Sequence, residues 1–370
     1  MTQYAPDSLG SLVFAGGGTA GHVSPLLAMA TAVQQKFPNT RITVLGTETG
    51  LEAELVPAAG FSLTTIPKVP LPRRLNADLL KLPGRLRATI RQVENILRQV
   101  NADAVIGVGG YVSTPAYLAA RRLGIPVILH EANRKPGLAN KLGAIFATQV
   151  ATAYPDTKLG KNPQAVGMPM RAEIAHARQH SNAIGARTRL GLEPDRPTLV
   201  VTGGSSGALS VNEAIAAGAE PLLDSGTQIL HLTGHGKNLD PNTFPALNHP
   251  HYHQREYLAQ MQDAYLAADL MVTRAGAGTV FELTAVGVPT VFVPLPVGNG
   301  EQKFNVQHLV AAGATNVVDN ADFTADWVRT ELPVLLGDTA ELARQGAAMA
   351  GFGITDSAER MVHLIEEQLR

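Results

Sequence analysis

Residues 12–33 read LVFAGGGTAGHVSPLLAMATAV, and the order of residue types in that stretch decides the fold. Leu12-Val13-Phe14-Ala15 is an apolar run of strand length. Gly16-Gly17-Gly18-Thr19-Ala20-Gly21 is a glycine turn, after which Leu26, Leu27, Ala30 and Val33 share one face of a helix. Strand, glycine turn and helix in that order open a βα unit. Further apolar strands are predicted over residues 42–45, 104–107 and 127–129. Strands of this kind alternating with helices make a parallel sheet covered on both faces.

The same opening recurs downstream. Thr198-Leu199-Val200-Val201 leads into Gly203-Gly204-Ser205-Ser206-Gly207 and a helical run from Val211 to Ala219. More strands are expected near residues 228–232, 270–273 and 290–293. Two starts so far apart denote two similar domains, not a short-period repeat array. The expected class is α/β, with two Rossmann-like domains over residues 1–167 and 168–353. The stretch from Gly167 to Pro197, with Pro169 and His/Arg-rich polar sequence, reads as the linker. In the last segment Ala358, Met361, Val362, Ile365 and Leu369 fall at helical spacing, so a helix over 354–370 is expected to pack back on the first domain.

Composition narrows the function. The chain has 370 residues, enough for two domains, and a formal net charge of -1, which provides no global field for nucleic acid. It has no cysteine, so disulfides, thiolate metal sites and cysteine nucleophiles are excluded, as suits a reducing cytoplasm. The opening MTQYAPDSLG carries Asp7 and no basic run, unlike a secretory signal. No apolar run approaches the roughly 18 residues that a span needs. Any membrane contact is therefore expected at the surface.

The two glycine loops let backbone N–H groups approach a ligand, and the helix behind each favours anions. Gly16, Gly18 and Gly21 satisfy G-x-G-x-x-G, but a dinucleotide site also wants an acidic residue ending the second strand. Here that strand ends Val44-Leu45-Gly46-Thr47, with Glu48 arriving late. His22, directly after the glycines, is either a proton acceptor or a support for the loop. His130 and Glu131 follow an apolar strand, a favourable place for a site. HEANR lacks the second histidine of H-E-x-x-H, so it is not a zinc-protease motif. His249, His251 and His253 alternate as on one strand face, without a carboxylate or cysteine cluster. No D-x-D motif is present, and neither a metal nor a cofactor is expected.

At this point the motifs resemble those of the MurG family. They are GGGTAGHVSPLLA, GVGGYVS (107–113), HEAN (130–133), GGSSGA (203–208), RAGAGTVFE (274–282) and PLPVGNGEQKFN (294–305), in family order; GTETGLEAELVP also fits. The resemblance implies the GT-B architecture, with the two parallel sheets facing a cleft. It implies inverting transfer of GlcNAc from UDP-GlcNAc to the 4-hydroxyl of undecaprenyl-pyrophosphoryl-MurNAc-pentapeptide, at the cytoplasmic face of the plasma membrane. For the donor it implies Glu282 on the ribose and the backbone of Ala277, Gly278, Thr279, Val280 and Phe281 under the diphosphate. Ser205 and Arg171 would assist the phosphates, Leu258 would border the uracil, and Gln302 and Asn133 would reach the sugar. Thr19, Ala20 and Gly21 would close over the donor. His22 is the expected base and Glu131 the second catalytic candidate, with Tyr111 and His130 at the acceptor. Glu131 and Asn133 are also candidates for acceptor contact.

The segment from Pro67 to Arg91 sets Lys68, Arg73, Arg74, Lys81, Arg85, Arg87 and Arg91 among Leu71, Leu75, Leu79, Leu80, Leu82 and Leu86. Such a pattern suits docking on an anionic membrane surface; alternatively the leucines are core and the arginines a solvated face. Two other functions fit the donor motifs. One is a UDP-sugar transferase for a diacylglycerol or small-molecule acceptor. The other is a UDP-binding protein without turnover, which would need neither His22 nor Glu131.

Overall fold

The structure, a computed structural model, describes residues 5–69, 77–296 and 300–370, with the backbone alone for 77–81. Its contacts divide the chain into two units, Met1–Arg171 with Asp356–Arg370, and Ala172–Thr355.

The first unit runs β1 (Ser11–Ala15), α1 (Ala20–Lys36), β2 (Arg41–Gly46), α2 (Glu52–Ala58), β3 (Ser62–Thr65), α3 (Ala77–Gln99), β4 (Ala104–Gly107), α4 (Ser113–Leu123), β5 (Val127–Glu131), α5 (Leu138–Gly143), β6 (Gln149–Thr152) and β7 (Gln164–Ala165). The strands are parallel, in the order β3-β2-β1-β4-β5-β6-β7, with Val13 opposite both Thr43 and Val105. Side chains of a strand alternate between faces, so β1 serves two cores. Leu12 and Phe14 join a cluster with Leu26, Met29 and Val33 of α1; Val13 and Ala15 join another with Ile90, Val93 and Leu97 of α3.

The second unit starts with α6 (Ala172–Ala175), α7 (Ala177–His180) and α8 (Ala183–Arg189), followed by β8 (Thr198–Thr202), α9 (Leu209–Gly218), α10 (Glu220–Asp224), β9 (Gln228–Leu232), β10 (Tyr252–Arg255) and α11 (Met261–Ala267). It continues through β11 (Leu270–Thr273), α12 (Ala277–Val286), β12 (Thr290–Phe292), α13 (Glu301–Ala311), β13 (Asn316–Val317), α14 (Ala325–Gly337) and α15 (Thr339–Ala350). Its parallel sheet has the order β10-β9-β8-β11-β12-β13, the same winding as the first. The last helix, α16 (Ser357–Leu369), returns to the first unit and lies against α1. It buries Met361, Val362 and Ile365 in the cluster that holds Leu12 and Phe14, each worth about 1.5–3 kcal/mol. Lys36 Nζ meets Glu366 Oε2 at 2.7 Å beside them.

Two sequence expectations change. Most of the stretch read as a linker folds: α6, α7 and α8 occupy it because Ile174, Ala177, Ala186 and Leu190 are buried. Of the three alternating histidines only His253 lies in β10, while His249 and His251 precede it with ring centroids 5.4 Å apart. Among the described residues no group of three His, Asp or Glu is placed to hold a metal ion. In the basic–leucine segment, residues 70–76 lie outside the described residues, as do the side chains of 77–81. Of its remainder, Leu86 packs against the core cluster of Ile90 and Val93, whereas Arg85, Arg87 and Arg91 are exposed. No described helix is long and apolar enough to cross a membrane.

Candidate functional site

In each sheet the chain reverses its direction of winding at one place, between β1 and β4 and between β8 and β11. Loops leaving the carboxyl ends of such a strand pair open a crevice where ligands bind. Both glycine loops leave there: Gly16–Thr19 after β1 and Gly203–Ala208 after β8. The helices behind them, α1 and α9, and α12 after β11, carry no acidic residue in the first turn. By contrast α10, α11, α13, α14, α15 and α16 all do. None of these three helix ends carries a carboxylate of its own in the first turn, a feature that α4, α5, α7 and α8 share.

In the first unit a buried carboxylate ties the loop down. Glu52 Oε2 accepts the Gly18 N–H at 2.8 Å, and Oε1 accepts the Thr47 N–H at 2.9 Å and hydroxyl at 2.7 Å. Burial pushes the Glu52 carboxyl up, but the bonds from Gly18 and Thr47 outweigh it and hold the group below its ordinary value. A Cβ on Gly17, Gly46 or Gly50 would lie 2.5 Å or less from this side chain, which explains the glycines around it.

Thr19 is the N-cap of α1, yet its side chain caps no backbone group. Its Oγ1 lies 3.1 Å from His22 Nδ1. The His22 ring rests beside Gly109 and Gly110, where ideal Cβ positions fall 3.4 Å from Nε2 and 3.5 Å from Nδ1. Both glycines have positive φ, +93° and +84°. Burial lowers the His22 pKa and the Glu52 charge opposes that, so the ring is neutral at pH 7. Ala20 and Gly21 open α1. Tyr111 is 41% exposed next to Gly18, and Lys68 Nζ stands 5.1 Å from its ring centroid.

Glu131 is buried at the end of β5 and both its oxygens are engaged. Oε1 accepts the Asn133 N–H at 2.8 Å and side-chain amide at 3.3 Å; Oε2 accepts Gly137 N–H at 3.0 Å and Asn140 Nδ2 at 2.9 Å. Burial pushes the Glu131 pKa up against these bonds. Asn140 Oδ1 in turn accepts the buried Tyr117 hydroxyl at 2.8 Å. His130 is fully buried, with Nε2 2.9 Å from Gly167 O and Nδ1 without a hydrogen-bond partner among the described residues. Burial lowers its pKa to about 4. His130 therefore exposes no atom to a ligand in this state, because its ring is spent inside the unit. Arg171 is exposed at the end of this unit's first segment.

In the second unit Ser205 is exposed at the turn of its loop. Lys237 Nζ donates to Ser206 O at 2.6 Å and to Gly207 O at 3.3 Å, bracing that loop from beyond β9. Behind it Asn212 of α9 donates to Thr233 O at 2.9 Å and lies 3.2 Å from His231 Nε2. Gly276 caps α12 with extended backbone and no side-chain cap. Ala277, Val280 and Phe281 point into the core, so that turn offers its backbone, while Gly278 and Thr279 are partly exposed. Gln302 Oε1 accepts Leu295 N–H at 2.9 Å and Ala275 N–H at 3.2 Å, strapping α13 to the turn before α12. Glu282 Oε2 accepts the Tyr265 hydroxyl at 2.6 Å. Leu258 is partly buried just before α11.

Sequence reading missed Glu52, Asn140, Tyr117, Lys237 and Tyr265. None of them carries a local signal in the sequence, since each reaches its partner across a loop or from another element.

The glycosyltransferase family 28 N-terminal domain matches residues 12–152, and the family 28 C-terminal domain matches 198–361. A protein of Paenarthrobacter aurescens (strain TC1) is 51% identical over 357 residues, 96% of each chain. It is named UDP-N-acetylglucosamine–N-acetylmuramyl-(pentapeptide) pyrophosphoryl-undecaprenol N-acetylglucosamine transferase. A Streptomyces coelicolor protein of the same name is 48% identical, covering 97% of this chain and 98% of its own. Among solved structures, MurG of Acinetobacter baumannii superposes with a TM-score of 0.75 at 29% identity, over 97% of this chain and 99% of that one.

Proposed function

The chain belongs to glycosyltransferase family 28, and from that premise we propose that it transfers GlcNAc from UDP-GlcNAc to the 4-hydroxyl of undecaprenyl-pyrophosphoryl-MurNAc-pentapeptide, with inversion. The observation that carries this reading is near-full-length identity of about half to two transferases of that name.

The donor falls to the second unit. Glu282 takes the ribose hydroxyls, since a carboxylate accepts two donors at once. The first-turn amides of Ala277 to Phe281 meet the diphosphate, where the α12 dipole stabilises the charge of departing UDP. Ser205 and Arg171 add donors to the phosphates, and Leu258 lies against the uracil. Gln302, its carbonyl oxygen committed to backbone, offers its NH₂ to a sugar hydroxyl. Thr19, Ala20, Gly21 and Asn133 are the further candidates for sugar contact.

The acceptor oxygen attacks C1 of GlcNAc, the bond from C1 to the UDP oxygen breaks, and the hydroxyl proton needs a base. In the tautomer whose Nδ1–H donates to Thr19 Oγ1, His22 carries its lone pair on Nε2. Its lowered pKa keeps that lone pair available at neutral pH. Glu131 is a positioning residue in this scheme, because its four N–H bonds hold the Asn133 and Asn140 segments. Tyr111, exposed beside Gly18, is assigned to the acceptor, and His130 supports the loop from inside. Peripheral docking on anionic lipid through the exposed Arg85, Arg87 and Arg91 places the enzyme at its lipid-linked substrate.

The test is transfer of labelled GlcNAc to a short-chain lipid-linked muramoyl-pentapeptide, with a diacylglycerol acceptor in parallel. Product from the muramoyl acceptor alone is expected. Product from the diacylglycerol alone would overturn the acceptor, and binding of UDP-GlcNAc without product would overturn the enzyme.

A further inference from the structure

The segment that enters α11 holds Leu258, assigned above to the uracil, and α12 holds Glu282, assigned to the ribose. A hydrogen bond joins the two helices at that place. Tyr265, on α11, is 3% exposed and donates its hydroxyl to Glu282 Oε2 at 2.6 Å. That length is typical of an O–H donor on an ionised carboxylate, the stronger class of hydrogen bond. Glu282 itself is only partly buried. Ordering a long carboxylate side chain at each binding event costs side-chain entropy, which a fixed partner removes. The tyrosine is held by its buried ring, so it fixes where one carboxylate oxygen stands and therefore where the carboxylate plane faces.

We infer that Tyr265 is a positioning residue for nucleoside recognition: its hydroxyl aims the Glu282 carboxylate at the vicinal hydroxyls of the donor ribose, and so sets the preference for a ribonucleotide over a 2′-deoxyribonucleotide sugar donor. The inference rests on the assignment of Glu282 to the ribose. Tyr265 touches the carboxylate and not the substrate, and it moves no proton in the reaction. The same bond couples base and ribose recognition, because α11 follows directly on Leu258. A donor that seats its uracil against that segment meets a carboxylate already in register.

The test compares UDP-GlcNAc with its 2′-deoxyuridine analogue as donors for the wild-type enzyme, Tyr265→Phe and Glu282→Gln, with thermal unfolding of each. Tyr265→Phe keeps the buried ring and removes only the hydroxyl. It is expected to raise the KM for UDP-GlcNAc about tenfold, as fits one lost charge-assisted hydrogen bond, with little change for the deoxy donor and kcat nearly unchanged. The ribo-over-deoxy preference should fall in both variants. If Glu282→Gln leaves that preference intact, the ribose assignment fails, and the inference with it. If Glu282→Gln abolishes the preference and Tyr265→Phe does not, the ribose assignment stands and the role given to Tyr265 is overturned. A lowered unfolding temperature with an unchanged preference also overturns it, since that is what a purely structural hydroxyl would give.

Discussion

Glu52 Oε2 and the Gly18 amide meet at 2.8 Å, 34 residues apart in sequence, so the glycine loop after β1 is held by a carboxylate that follows β2. That carboxylate also accepts both donors of Thr47. Glu52→Gln keeps the shape but turns an NH₂ toward a site built from donors. A loss of about 1–3 kcal/mol is expected, the cost of a buried donor left unsatisfied. Urea unfolding at neutral pH reads it, and an unchanged midpoint would show that the loop does not depend on this bond. The Glu52 pKa is depressed, so its contribution is fully present above the ordinary value of 4.5 and is lost as pH falls through the lower folded value.

His22→Gln is expected to leave UDP-GlcNAc affinity unchanged and to lower kcat by about 10²- to 10⁴-fold, the usual worth of a general base. Titration calorimetry and turnover together separate the two effects. The pH profile gives a second reading. Burial depresses the His22 pKa below 6.5, so the acid limb of kcat/KM should fall below that pH. The Glu52 charge raises the same pKa, so Glu52→Gln should move the limb further toward acid. A limb that stays in place when Glu52 is neutralised would remove His22 as its origin.

The twofold α/β plan was legible because each half opens with an apolar strand running into glycines, a pattern local to a dozen residues. The position of His22 was legible for the same reason. What holds these groups was not. Glu52, Asn140 and Tyr117 reach their partners across loops, and nothing in a carboxylate six residues beyond a strand reveals that it will turn back to Gly18. His130 illustrates the opposite difficulty. A histidine at the carboxyl end of a strand reads as a ligand-facing group, yet strand alternation sends its ring inward to Gly167 and its neighbour Glu131 to the loop. The linker was misread because polar, His/Arg-rich sequence hid a sparse apolar spacing, Ile174, Ala177, Ala186 and Leu190, that suffices for short helices.

Two glycines separate backbone strain from site geometry. Gly110 has φ +84°, and a Cβ there would lie 2.8 Å from Gly17 O and 3.5 Å from His22 Nδ1. Gly124 has φ +69° with nothing within 4 Å of that position. Alanine at either site costs about 1–2 kcal/mol for the left-handed backbone. Only Gly110→Ala also pushes the two loops apart beside His22. Both variants should therefore unfold at lower temperature, while kcat should fall at least tenfold, about 1.4 kcal/mol in the barrier, in Gly110→Ala alone. Equal turnover in the two would show that the spacing of the loops does not govern the reaction.

His231 contributes acid sensitivity to the second unit. It is fully buried between β9's neighbours, with Nδ1 2.6 Å from the Tyr252 hydroxyl and Nε2 3.2 Å from Asn212 Oδ1. Burial lowers its pKa to about 3, against an ordinary value of 6.5. Between those two values the unfolded chain holds a proton that the folded chain refuses. Stability must then fall as pH drops through that window, by up to about 1.4 kcal/mol per pH unit for one such group. His130, lowered to about 4, adds to the slope in the first unit. His231→Gln removes the titration in the second unit. The variant is expected to be less stable than wild type at pH 7.5, because two buried partners lose their geometry, and to lose less on going to pH 5. Urea unfolding at the two pH values measures both differences. If the wild-type and variant lines ran parallel, the acid sensitivity would have to come from other groups, and the neutral His231 bridge would be a packing element only.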